Sequence, residues 1–167
     1  VASSWANTLN SLLRNPGGLA SDAPALHQFL NENAGIRTLF ITDSLLTSVE
    51  TLQPEGAPAR YSSSVLLAAL RMHPEQMNRL FRLQSAGYRK LTPLSVSDSA
   101  HSSSLALTFA TGGDQRGRKI VGLVVDAERF IHEVLAQKLD EAAGDEFLLA
   151  VTRKDSDQLV YATGSIQ

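Results

Sequence analysis

With 167 residues, 43% of them apolar and 19% charged, the chain has a globular composition, long enough for one domain with a real core and short for two. A formal net charge of −2 argues against a dedicated nucleic-acid binder, which carries a basic face. The lack of cysteine excludes disulfides, thiolate catalysis and cysteine metal sites, and no apolar run reaches the length of roughly 18 residues that spans a membrane.

From the start of the chain, residues 2–14 predict a helix, with Trp5, Leu9, Leu12 and Leu13 near helical spacing. Asn15-Pro16-Gly17-Gly18 breaks it. Ser21 or Asp22 is placed to cap a second helix, whose stripe of Leu26, Phe29 and Leu30 runs toward Asn33. Ile36 to Thr42, reading IRTLFIT, is rich in branched and aromatic residues and predicts the first strand. A loop with Pro54, Gly56 and Pro58 follows. Tyr61 to about Leu83 is helical in pattern and restarts at His73-Pro74, because proline suits a first helical turn better than an interior.

Beyond Gly87 the period changes. Tyr88 to Val96, Ser104 to Ala110 and Lys119 to Val125 predict three strands, the last two joined by the hairpin TGGDQRGR. A helix over Asp126 to Ala142 comes next, then Phe147 to Arg153 and Gln158 to Ala162 as a closing hairpin. Strands joined by hairpins rather than by alternating crossovers give an α+β fold on an antiparallel sheet.

The stretch GLVVDAERFIHEVLAQKL poses the question of catalysis directly, because a hydrophobic strand stops at Asp126. Phe130, Ile131, Val134, Leu135 and Leu139 form a helical stripe behind it. An aspartate at that point accepts from the free amides of the first turn, which stabilises a helix by about 1 kcal/mol. Glu128 suits the positive end of the dipole and Gly144 a left-handed stop. Asp126 therefore reads as a helix cap rather than a catalytic carboxylate.

GGDQRGRK, Gly112 to Lys119, approaches a phosphate loop in spelling. Arg118 stands where the lysine belongs, and the segment joins two strands rather than a strand and a helix. It reads as a hairpin tip. Asp98, His101 and Ser102 to Ser104 have the residue types of a hydrolase triad but lie together in one polar loop, with no nucleophile-elbow pattern. His27, His73 and His132 have no zinc spacing. No catalytic, metal or cofactor residues are assigned.

Cationic and aromatic residues gather in one region: Tyr61, Arg71, Arg79, Arg82, Tyr88, Arg89 and Lys90. Arginine there can pair bidentately with a small carboxylate or phosphate. The expected ligand site for a small polar or anionic molecule is Tyr88 and Arg89, with Arg82, Tyr61 and His101 as contributors.

KIVGLVVDAERFIHEVLAQKLDEAAGDEFLLAVTRKDSDQLVYATG resembles the C-terminal half of the extracytoplasmic sensor domains of bacterial histidine kinases, the PAS-like type called PDC or single Cache. The matching residues are Gly122 to Asp126, Phe130 to Leu139 and Leu149 to Tyr161. The similarity covers the last 50 residues or so and the rest in layout only. It implies a PAS-like central antiparallel sheet of about five strands, N-terminal helices at 1–33, a core at 36–163, and a helix crossing between the third and fourth sheet hairpin strands. The aspartate–tryptophan–arginine–tyrosine pattern by which some Cache domains hold amino acids has no match, so no amino-acid ligand is implied.

The resemblance implies a single periplasmic signal-input domain of a membrane-bound receptor, a two-component sensor histidine kinase, and not an enzyme in itself. The expectation extends to a chain cut from a longer protein with membrane spans on both sides, paired as a homodimer through the stripe of the N-terminal helix. The alternatives are a cytosolic PAS- or GAF-like regulatory domain and, third, a small hydrolase.

Overall fold

Strands with apolar residues at consecutive positions are covered on both faces, whereas strict alternation marks a half-buried strand. IRTLFIT and KIVGLVV are both of the first kind, and they lie side by side in the middle of the sheet. The computed structural model describes residues 2–13, 18–33, 35–58, 61–97, 103–112, 117–144, 147–152, 157 and 159–163. Strand β1 (Ile36–Asp43) pairs with β2 (Val49–Leu52) and β5 (Lys119–Val125), and β4 (Ser103–Thr111) lies between β5 and β3 (Thr92–Ser97). The order is β2-β1-β5-β4-β3 with every neighbouring pair antiparallel. The fold is α+β on a five-stranded antiparallel sheet, consistent with the PAS-like layout expected.

At the centre of that sheet Phe40 of β1 stands opposite Gly122 of β5, which in turn faces Thr108 of β4. The Phe40 ring approaches the glycine so closely that a Cβ there would overlap three ring carbons. Phe40 is fully buried and joins one apolar cluster with Leu94, Val96, Ile120 and Val124 of the sheet. Leu66 and Leu70 of α4 (Ser63–Arg71) and Met77, Leu80 and Phe81 of α5 (Pro74–Ser85) complete that cluster. Each such side chain contributes about 1.5–3 kcal/mol on burial. The alternate positions Leu39, Ile41, Phe109 and Leu123 are buried as well. On that side α1 (Ala2–Leu12) meets β4 and α3 (Ala23–Glu32) meets β1.

The helix restart expected at His73-Pro74 is present. Ser62 caps α4 by accepting from the Val65 amide at 3.4 Å, and Pro74 opens α5. Asp22 stands at the N-cap of α3 without a side-chain cap hydrogen bond. A short helix α2 (Gly18–Ser21) precedes it. The apolar stripe of α1 is occupied within its own chain: Trp5, Ala6 and Leu9 are buried, and the Trp5 indole donates to Asn33 Oδ1 at 2.8 Å. The outer face of α1 is polar, with Ser3, Ser4, Asn7, Thr8 and Ser11 exposed. Leu12 and Leu13, the rest of that stripe, are half-buried.

The sequence reading is corrected at three places in the strands. Val49–Leu52, expected as loop, is an edge strand held to β1. The strand expected from Tyr88 starts only at Thr92. Gly87 adopts a φ of +82°, its amide donates to Gln84 and that of Tyr88 to Leu83, so Tyr88 completes the helix stop. The C-terminal hairpin forms a two-stranded sheet of its own rather than closing the main one.

By contact density the chain divides into residues 1–125 and 126–167. In the second unit, α6 (Ala127–Phe130) runs into a π-helical turn (Ile131–Leu135) and then α7 (Ala136–Ala143), followed by β6 (Ala150–Thr152) and β7 (Leu159–Ala162). Asp126 caps α6, accepting from the Arg129 amide at 3.2 Å, as its position in the sequence predicts. The π turn is the departure from the expected continuous α-helix. The Ala136 amide reaches back five residues to Ile131, which shifts the phase of everything after it.

Gly122→Ala is expected to destabilise the fold by about 1–3 kcal/mol, since the added methyl overpacks against Phe40. Phe40→Leu withdraws the ring and should cancel part of that loss in the double variant. Urea unfolding of the two single variants and the double variant measures the coupling; strictly additive losses would show that ring and glycine act independently.

Candidate functional site

The structure separates the residues expected to form one ligand site. Tyr61 is 3% exposed and donates its hydroxyl to Ser104 Oγ at 2.5 Å, so it packs within the core cluster under α4. Arg89 donates to Asn7 Oδ1 at 2.5 Å and ties the segment after α5 to α1. Tyr88 is 68% exposed beside it. His101 lies outside the described residues, as do Asp98 and Ser102 of the triad-like loop. Of the four that are described, Arg82 lines a groove that the other three do not.

That groove, of about 670 Å³, is open to solvent and is built from three elements. Helix α5 supplies Asn78, Phe81, Arg82 and Ser85, which share one face at helical spacing. The turn between β1 and β2 supplies Ser44 and Leu45, and the first residues after the β4–β5 turn supply Arg118. Phe81 is its apolar floor and Leu45, 81% exposed, its rim.

Both walls facing α5 are braced. In the β1–β2 turn the Asp43 carboxylate accepts from the amides of Leu45 at 2.7 Å and Thr47 at 3.2 Å, and from the Thr47 hydroxyl. Leu46 takes a φ of +54° there, and Arg71 of α4 donates to its carbonyl at 2.7 and 3.2 Å. Burial by itself pushes the Asp43 carboxyl up. The hydrogen bonds from the Thr47 side chain and from the Thr47, Leu45 and Ser48 amides outweigh it and hold the group below its ordinary value. On the other wall Gly112, with φ of +98°, lets the two ends of the β4–β5 turn approach so closely that a Cβ would strike the Gly117 carbonyl. The Gln84 amide of α5 donates to the Gly112 carbonyl. Arg118 follows directly from this pinned pair.

Among the described residues the groove's polar lining is Ser44, Asn78, Arg82, Ser85 and Arg118, with no carboxylate, and the Ser85 hydroxyl donates to the Phe81 carbonyl at 3.0 Å. Neither Arg82 nor Arg118 has a hydrogen bond or ion pair among the described residues, in contrast to Arg71 and Arg89. Sequence reasoning found Arg82 but missed Ser44, Asn78, Ser85 and Arg118. The signal available was the Asn78–Phe81–Arg82–Ser85 spacing; nothing local linked it to residues 44 and 118.

The remaining candidates do not assemble. His27 lies on α3, His73 at the N-cap of α5, and His132 on the π turn, edge-on to Tyr161 with ring centroids 5.5 Å apart. Among the described residues no three histidine or acidic side chains group as metal ligands. No described helix is long and apolar enough to cross a membrane. A scan against protein-family models and a search of curated proteins found no match to the chain.

Because the folded Asp43 carboxyl titrates below its ordinary value of 3.8, the unfolded chain takes up that proton first. Its stabilisation is complete above that value and is lost as pH falls through the lower folded value. Asp43→Asn should therefore lie below wild type in stability near neutrality, with the gap narrowing in acid. Chemical denaturation from about pH 6 to about pH 2 reads this directly; a gap that stays constant with pH would show that the carboxylate charge does not matter to the turn.

Proposed function

We propose that this chain is the extracytoplasmic signal-input domain of a membrane-bound bacterial receptor, a sensor histidine kinase. The observation that carries the reading is architectural. An antiparallel five-stranded sheet with helices on both faces includes β5, and β5 with the capped helix and hairpin after it has the sequence that resembles PAS-like sensor domains. Fold-level likeness supports a role by analogy only, so the local features matter. The donor-lined groove supports a domain that binds a small molecule, while the capping role of Asp126 removes the most prominent candidate for a catalytic carboxylate.

In this reading the domain exists in two conformations of similar free energy, and ligand shifts their populations by binding one more tightly. The shift is passed to membrane segments that flank the domain in the receptor. A ligand at 100 times its dissociation constant adds about 2.7 kcal/mol of stability. A thermal-shift screen of organic acids, sugars and phosphates should therefore yield at least one stabilising compound.

Placement is tested separately. Reporter fusions in the parent receptor, joined within this domain, are expected to be active with a periplasmic reporter such as alkaline phosphatase and inactive with a cytoplasmic one. The reverse pattern overturns the extracytoplasmic reading.

A further inference from the structure

From the groove between α5, the β1–β2 turn and the β4–β5 turn, we infer a binding site for a small tetrahedral oxyanion of the phosphate class, held between Arg82 and Arg118. Its role as a signal rests on the sensor reading above; the binding itself does not.

Three features of the groove lead to this chemistry. The first is charge: among the described residues, two guanidinium groups from different elements line one open groove with no carboxylate in its lining, and neither has a partner. Two like charges facing one groove repel each other, and a dianion bound between them relieves that repulsion. The second is donor number. Ser44 and Asn78 add a hydroxyl and a carboxamide to the two planar guanidinium forks, while the Ser85 hydroxyl already donates to the Phe81 carbonyl at 3.0 Å. A tetrahedral dianion offers oxygens in several directions to such a ring of donors, whereas a carboxylate presents two oxygens in one plane. Guanidinium forks also match phosphate bidentately.

The third feature is preorganisation. Ser44 sits on a turn locked by Asp43 and by the Arg71 clamp on the Leu46 carbonyl. Arg118 extends from the Gly112–Gly117 approach that Gln84 ties to α5. The walls are therefore positioned by contacts that do not involve the ligand, so little ordering is needed on binding. Phe81 provides an apolar floor for the organic part of a phosphomonoester. Because the groove is open, binding should weaken as salt rises.

Calorimetric titration of the whole chain with inorganic phosphate, glycerol 3-phosphate and succinate tests the site. Inorganic phosphate and glycerol 3-phosphate should bind, and succinate at least tenfold more weakly. Arg82→Ala and Arg118→Ala should each weaken glycerol 3-phosphate at least tenfold, while Arg79→Ala, an exposed cation on the same helix but outside the groove, should leave it unchanged. Circular dichroism of each variant checks that it remains folded, and Arg82→Lys and Arg118→Lys, which keep the charge, should retain part of the affinity. Absence of binding by either phosphate compound, binding that survives loss of both arginines in a folded variant, or succinate binding as tightly as phosphate overturns the inference. The sensor reading is judged apart from it, by whether kinase output of the intact receptor responds to any ligand of this domain. A phosphate site with a silent receptor sinks the sensor role alone, and a receptor responding through other residues sinks the site alone.

Discussion

The close approach of the Phe40 ring to Gly122 is the constraint on which the larger unit depends. A large aromatic side chain at the middle of a central strand needs space across the strand pair, and a glycine partner supplies it by having no side chain. The ring then covers the backbone of β5 and offers its outer surface to α4 and α5. Glycine weakens a strand by itself; here the ring that lies over it restores the lost packing. Both neighbours of Gly122 in sequence, Val121 and Leu123, are buried on the opposite face, so a slip by one residue would turn one of them into the space that the Phe40 ring fills. Register, helix placement and the position of the turns at the sheet's end all follow from this fixed centre.

The groove inherits its shape from that register. Asp43 pairs with Lys119 across β1 and β5, which brings the β1–β2 turn and the residues after the β4–β5 turn to the same end of the sheet. Thr111 opposite Lys119 continues the row into β4. With α5 packed through Leu80 and Phe81, its neighbouring face carrying Asn78, Arg82 and Ser85 is left to meet both turns. Apolar burial thus aims a polar face, and the residues on that face are free to differ without harm to the core. Tyr61 and Arg89 illustrate the converse: one is held by burial and Ser104, the other by Asn7, and both serve to hold segments together.

The second unit has a separate logic. Its helix begins at a side-chain cap and ends at Gly144, with φ of +55°, yet a π turn interrupts it at residues 131–135. The Tyr161 hydroxyl on β7 reaches Asp140 at 2.8 Å and lies 3.4 Å from the Ala136 carbonyl. The hydrogen bond to the Asp140 carboxylate, with lesser help from desolvation and the nearby negative charge, raises the Tyr161 phenol above its ordinary value, so it stays a donor. Asp140 lies beyond the extra residue of the π turn, and that phase shift sets which side of the helix faces the ribbon.

Local chemistry in the sequence determined the α+β class, the central strands, the helix restart at Pro74, the cap at Asp126 and the stop at Gly144, because each rests on a few adjacent residues whose preferences agree. It could not reveal β2, a strand too short for periodicity to speak, or the π turn, which needs only one displaced hydrogen bond. It read Tyr88 as the start of a strand because Gly87 can end a helix in more than one way. The grouping of cations by nearness in sequence placed Tyr61, Arg82, Tyr88 and Arg89 together, but burial, a helix face and a cross-chain hydrogen bond sent them to different places. Arg118 and Ser44 joined Arg82 only through strand pairing between segments far apart in the chain. That pairing is fixed by the packing of Phe40 on Gly122, a contact between residues 82 positions apart that only the tertiary structure brings into being.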